Sequence, residues 1–193
     1  MKNNKVSNIR SVFVALFAAL VAVSGFIAIP VGPLGVPIVL QNMMAVLTGA
    51  LLGGIQGAGA LGLFLLAGML GLPVFSGGRG GIAHLLGPTG GFLTGYFIAA
   101  LVVGLFIGKP STEQQPPVFR IIAGCLLGYI VLYIPGILQF MKVTGKPLQI
   151  ALTACVIPYL PGDAIKLLVT IPLAVTLRPI VARYIFPEEV SLY

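Results

Sequence analysis

The chain alternates long apolar runs with short breaks made of glycine, proline or charged residues. At about 20 apolar residues per membrane crossing, the runs predict helices over approximately residues 9–30, 38–53, 55–72, 91–108, 118–141 and 161–185. The first run is too long for the core of a signal peptide and no small-x-small cleavage pattern follows it, so it reads as a retained helix. Pro30, Pro33 and Pro37 with Gly32 and Gly35 cannot continue a helix and open a loop over 30–37. The second and third helices are short and meet at Gly53-Gly54, which predicts an antiparallel hairpin. A glycine-rich loop follows over 73–90 (PVFSGGRGGIAHLLGPTG), then a polar connector, KPSTEQQPP, over 109–117. A third loop spans 142–160 and carries a short apolar segment, 148–159, before Leu160-Pro161-Gly162 turns into the last helix. The expectation is an all-α integral membrane protein with six transmembrane helices in a single membrane domain, 1–193.

Composition supports that class. Hydrophobic residues are 58% of the 193 and charged residues 8%, against about 25% charged in a soluble domain; mean hydropathy is +1.10. The length leaves no room for a soluble catalytic domain. The net charge of +7 comes from Lys and Arg scattered singly at the ends of apolar runs, a topology signal rather than a nucleic-acid-binding stripe. With the N-terminus cytoplasmic and six spans, Lys2, Lys5, Arg10, Lys109, Arg120, Arg178 and Arg183 lie inside, and Arg79, Lys142 and Lys146 outside. This positive-inside bias predicts both termini in the cytoplasm and the loops 30–37, 73–90 and 142–160 together on the extracellular face, with a ligand pocket beneath them.

Within this apolar mass the segment Ile157–Lys166, IPYLPGDAIK, holds an acid and a base. Only four acidic residues exist in the chain; Glu113, Glu188 and Glu189 fall in the connector and the tail, whereas Asp163 stands where a membrane helix begins. Intramembrane ionisable groups mark function by default. Asp163 and Lys166 are three apart and share a helix face, and the topology gathers them with Gln41 and Asn42 at the start of the second helix and Arg79 in the glycine loop. Asp163 can accept two N–H groups of a ligand, while Lys166 and Arg79 can hold a carboxylate. Phe75, Phe92 or Tyr159 would meet an apolar middle. The competing explanation is a structural ion pair, with Asp163 also capping the helix that follows Pro161-Gly162.

Catalytic and metal readings find little support. Ser76 precedes glycines but lacks a positioned base and G-x-S-x-G spacing, paired carboxylates are absent, and the glycine loop has no following Lys-Ser or Lys-Thr to grip phosphate. His84 is the one histidine and reads as a loop residue; Cys125 and Cys155 have no CxxC spacing and read as small apolar groups. The expectation is binding, with no catalytic residue, no metal and no cofactor.

Three segments, VPIVLQN (36–42), LPVFSGGRGGIAHLLGPTGGF (72–92) and LPGDAIK (160–166), resemble the biotin-specific S component, the BioY family, of energy-coupling factor (ECF) vitamin transporters. The resemblance covers most of the chain in the same order and spacing. It implies a six-helix subunit of the bacterial cytoplasmic membrane that captures biotin from outside with high affinity and associates with a transmembrane coupling subunit and two ATPase subunits. It implies ligand binding by Asp163 and Lys166, with Arg79 standing at a variable position between paired glycines; Gln41, Gly80 and Tyr159 are further candidates for the substrate site. It also assigns Ala15, Ala19 and Ala22, on the small-residue face of the first helix, to docking the coupling subunit. Biotin has a ureido ring with two N–H donors, an apolar middle and a carboxylate, which suits the polarity read above. An S component for another vitamin (thiamine or a folate), a stand-alone facilitator and a small membrane lipid enzyme using Ser76 or His84 stay open beside it.

Overall fold

The structure, a computed structural model, describes residues 2–30 and 37–186. Residues 31–36 of the first expected loop and the acidic tail, 187–193, lie outside the described residues. The described chain is helical: α1 (Lys2–Ser24), α2 (Gln41–Leu52), α3 (Gly54–Met69), α4 (Ile82–Leu86), α5 (Gly90–Ile107), α6 (Val118–Thr144), α7 (Leu148–Cys155) and α8 (Leu160–Ile185). Four helical segments are long and apolar enough to cross a membrane, Ser7–Ser24, Gly90–Ile107, Val118–Thr144 and Leu160–Ile185; α2 and α3 are apolar but shorter. Large side chains such as Phe119, Ile130, Leu138 and Leu168 are exposed along them, as a lipid-facing surface requires.

Several boundaries differ from the sequence expectation. The first helix ends at Ser24 rather than near residue 30: the Gly25 and Phe26 amides turn back to Ala22 O and Val23 O, and Gly25 abuts the Gln41 amide, where a Cβ would lie 2.4 Å from Nε2. Residues Ala28–Pro30 (β1) then pair antiparallel with Pro37–Val39 (β2), so α2 starts at Gln41 and not at 38. The loops expected over 73–90 and 142–160 contain the short helices α4 and α7, and α6 continues through Lys142 to a left-handed Gly145 cap. Pro161-Gly162 is not a turn. Both lie in the first turn of α8, where proline needs no amide hydrogen, and the Asp163 amide already donates to Tyr159 O at 2.8 Å. Asp163 is therefore a first-turn residue and not the cap.

Helix α5 is the centre of the bundle, packed on α2, α3 and α6. Glycine lets backbones meet there. A Cβ on Gly49 would lie 2.3 Å from Ala100 O, and one on Gly104 2.3 Å from the Gly53–Gly54 peptide. The α2–α3 joint is a single residue, Gly53, at φ +80°, a conformation that glycine adopts without steric cost.

At the end of the bundle opposite Asp163, three arginines from neighbouring helices close helix C-termini. Buried Arg178 donates through Nη1 to Ala50 O at the end of α2 and through Nη2 to Gly108 O beyond α5. Arg120 Nε donates to Phe106 O at 2.8 Å, and Arg10 Nε to Ile185 O at 2.8 Å with its guanidinium over the Phe186 ring. Terminal carbonyls lack intrahelical partners and carry the negative end of the helix dipole, so a guanidinium satisfies both needs. The basic residues that signal orientation thus also hold the helix ends together.

Close backbone contact is directly testable. Gly104→Ala is expected to lower the thermal midpoint in detergent by several degrees, since the added methyl meets backbone that cannot yield, an overpacking cost of about 1–3 kcal/mol. Gly62→Ala, whose methyl would meet Phe97 at an ordinary 3.6 Å, is expected to leave it unchanged or slightly raised.

Candidate functional site

The site begins with the charge pair. Asp163 and Lys166, one helical turn apart on α8, are both buried at 7% exposure. Lys166 Nζ lies 3.0 Å from Asp163 Oδ1 and also donates to Asn42 Oδ1 at 2.9 Å. Asn42 Nδ2 returns a bond to Asp163 Oδ1 at 2.9 Å, and Asn42 Oδ1 further accepts the Met43 amide. The other carboxylate oxygen, Oδ2, accepts the Tyr133 hydroxyl of α6 at 2.5 Å. Every partner is needed, because a buried ion pair offsets its desolvation only when its remaining lone pairs and protons are also bonded.

Beside this cluster is a narrow cavity lined by Asn42 and Lys166, by Phe92, Leu93 and Tyr96 of α5, by Leu132 and Tyr133, and by Tyr159. The glycine loop closes it with Ser76 and Thr89, and Val39 and Cys155 complete the wall. The free volume is only about 40 Å³, room for a few waters. Polar tips alternate with aromatic faces, the lining expected of a site for a small amphipathic molecule.

The glycine loop is fixed over this cavity by backbone bonds. Phe75 and Arg79 exchange amide hydrogen bonds across Gly77 and Gly78, which take φ of 72° and 71°, and the Gly77 amide donates to Gly25 O at the end of α1. Gln139 of α6 donates to Leu85 O and Gly87 O at 2.8 and 2.7 Å. Phe75 is fully buried against Phe64 and stacks on His84. Burial, and secondarily the Arg79 charge, lower the pKa of His84, so its imidazole is neutral at neutral pH.

The residues expected from sequence therefore divide. Asp163, Lys166 and Tyr159 are brought together around the cavity, although Asp163 stands behind Asn42, Lys166 and Tyr133 rather than on the cavity wall. Gln41 is elsewhere. It is fully buried and its Nε2 donates to Val21 O and Val74 O at 3.2 and 2.9 Å, tying α1 and the glycine loop to α2. Arg79 is exposed on the loop, outside the cavity lining. Gly80 serves close approach, since a Cβ would lie 2.2 Å from Leu72 O. Phe75 belongs to the core beneath the loop, not to the cavity. Ala15, Ala19 and Ala22 line a shallow apolar groove between α1 and α3 with Leu63, Ala67 and Val74.

Sequence reasoning did not assign Tyr133, Tyr96, Thr89 or Ser76 to binding, and it placed Asn42 in the neighbourhood without a role. Tyr133 had one signal, a polar-tipped aromatic in the apolar middle of α6, one turn after Tyr129 and two residues before Pro135.

A family model for the BioY family matches residues 1–183. The chain belongs to the BioY family. It is 41% identical to the Biotin transporter BioY of Rhodobacter capsulatus over 167 residues, covering 81% of this chain and 86% of that one. With the Biotin transporter BioY of Lactococcus lactis subsp. cremoris it shares 34% identity over 178 residues, 91% and 93% of the two chains. A crystal structure of the S component for biotin from an ECF-type ABC transporter superposes with a TM-score of 0.81 at 33% identity, over 92% of this chain and 94% of that one. BioY membership places this chain among transporter subunits rather than enzymes.

The charge pair makes a stability prediction independent of any ligand. Lys166→Met leaves Asp163 without its cation and is expected to cost about 3–5 kcal/mol in unfolding experiments. The double variant Asp163→Asn/Lys166→Met, which removes the stranded charge, is expected to recover much of the loss. A double variant no more stable than Lys166→Met would contradict the pairing.

Proposed function

We propose that this chain is the biotin-capture subunit of an ECF-type uptake transporter. The observation that carries the reading is the buried Asp163–Lys166–Asn42–Tyr133 cluster set against an aromatic cavity, in a chain whose named relatives are biotin transporters. The carboxylate suits a ureido N–H group, as an acceptor in a water-poor site where charge-assisted bonds are strongest. Phe92, Tyr96 and Tyr159 suit the apolar middle. Lys166, with one ammonium proton beyond its two bonds to Asp163 and Asn42, adds positive potential on the cavity wall. Arg79, one loop turn away and exposed, is free to fold over the ligand carboxylate, and Gly80 keeps the loop backbone close enough for it to do so.

In this reading the bundle has six membrane spans, α2 and α3 being the short pair, with both termini cytoplasmic and the cavity near the extracellular face of a bacterial cytoplasmic membrane. The positive-inside count and the arginine-closed helix ends at the far side support that orientation. Transport against a gradient needs an energy source, and the chain carries no nucleotide-binding motif. A transmembrane coupling subunit and two ATPase subunits supply it, docking on the α1 face that exposes Ala15 and Ala19 beside Ala22, where small side chains permit close helix approach.

The test is biotin binding by the purified chain, followed by calorimetry or tryptophan-free fluorescence competition in detergent or nanodiscs. Binding in the micromolar range or tighter is expected, and Asp163→Asn is expected to weaken it by about tenfold or more, the loss of charge-assisted hydrogen bonds. A wild-type chain with no measurable affinity for biotin overturns the reading.

A further inference from the structure

Asp163 Oδ1 is fully engaged by Asn42 and Lys166, while Oδ2 carries the single bond from Tyr133. The order of these groups across the bundle matters. Asn42 and Lys166 line the cavity, and Asp163 lines the other side, a groove between α6, α7 and α8. Tyr133 lines both. Its ring is the partition between cavity and carboxylate, and its hydroxyl holds the oxygen that faces away from the ion pair.

We propose that Tyr133 is a positioning residue for ligand capture: its hydroxyl occupies on Asp163 Oδ2 the place of a ligand N–H, and the ring must swing into the groove before the carboxylate meets the ligand. This rests on the reading of Asp163 as the ligand's acceptor. Three observations support it. First, Asp163 does not line the cavity whereas Tyr133, bonded to its Oδ2, does, so that oxygen cannot accept a cavity-borne N–H while the hydroxyl stays in place. Second, room for the swing is adjacent: the groove is open on the lipid-facing side, where Ile130, Ile134 and Leu160 are exposed, and its wall is almost wholly apolar, so an aromatic ring can enter it by displacing lipid. Third, the Tyr133 ring stands edge-on to Phe92 at 6.0 Å and 88°. Phe92 lines the cavity, so an apolar body entering there presses on the ring that must move. The exchange is isosteric in hydrogen bonding, one donor for another on Oδ2, so the carboxylate is not left bare once the swap is complete.

The experiment measures biotin association and dissociation rate constants for the purified wild type, Tyr133→Phe and Asp163→Asn. Removing the competing hydroxyl is expected to raise the association rate constant and the affinity at least about tenfold in Tyr133→Phe, equivalent to about 1.4 kcal/mol and near the low end for a hydrogen bond to a charged group, with dissociation unchanged. A purely structural tyrosine would lower the thermal midpoint without speeding association. Association unchanged or slowed in Tyr133→Phe overturns the proposal. Should that variant fail to fold, 3-fluorotyrosine placed at position 133 of the otherwise natural chain gives a fluorine NMR signal that biotin is expected to shift; a resonance unmoved at saturating biotin overturns it equally. Wild type that binds no biotin, or Asp163→Asn that binds as well as wild type, removes the Asp163 reading itself. Failure of Tyr133→Phe alone, with those two results as expected, removes only the role of Tyr133.

Discussion

An acid and a base buried inside an apolar helical bundle set the terms for everything around them. Neither Asp163 nor Lys166 is stable there alone, and their mutual attraction does not suffice unless the remaining lone pairs and protons find partners. That requirement fixes the neighbours. Asn42 must stand at the start of α2 with both ends of its amide turned to the pair, and Tyr133 must reach across from α6. Helices α2, α6 and α8 are thus held at one level by four side chains, and the cavity is the space they leave against α5.

The opposite end of the molecule meets a different electrostatic demand by comparable means. There the unsatisfied groups are helix C-terminal carbonyls, and Arg178, Arg120 and Arg10 each supply guanidinium protons to them from a neighbouring helix. Arg178 is fully buried with no carboxylate partner among the described residues, so its charge is balanced by carbonyl dipoles. Between the two polar ends, on the order of 22 Å of α8 separates residues 163 and 178 at 1.5 Å per residue. The middle is held by apolar packing and by glycine contacts on α5.

Helix α5 is enclosed by α2, α3 and α6, whereas α6 and α8 diverge around the apolar groove beside Asp163. The glycine loop has a rigid backbone at Phe75–Arg79 and at its Gln139 anchor, yet it carries an exposed arginine at its tip. Capture in the proposed reading uses both features, a side chain that turns within the membrane and another that folds over from the loop.

Class, helical content and the main breaks were legible in the sequence, and so was the placing of an acid and a base, Asp163 and Lys166, inside the apolar mass. Each of those rests on local information: run length, proline and glycine placement, and two charges where none is tolerated without a reason. It misjudged what depended on chain segments far apart. Gln41 and Asn42 are adjacent and chemically alike, and only packing decided that Gln41 ties α1 to the glycine loop while Asn42 joins the ion pair. The glycines around Arg79 mark a loop, but only the Phe75–Arg79 backbone pairing sets its exposed place outside the cavity lining. Tyr133 left almost no trace, since α6 carries two tyrosines one turn apart, Tyr129 and Tyr133, and only packing decides which of them meets the carboxylate. Local chemistry names the groups that must be satisfied; only the tertiary structure selects which distant side chain does so.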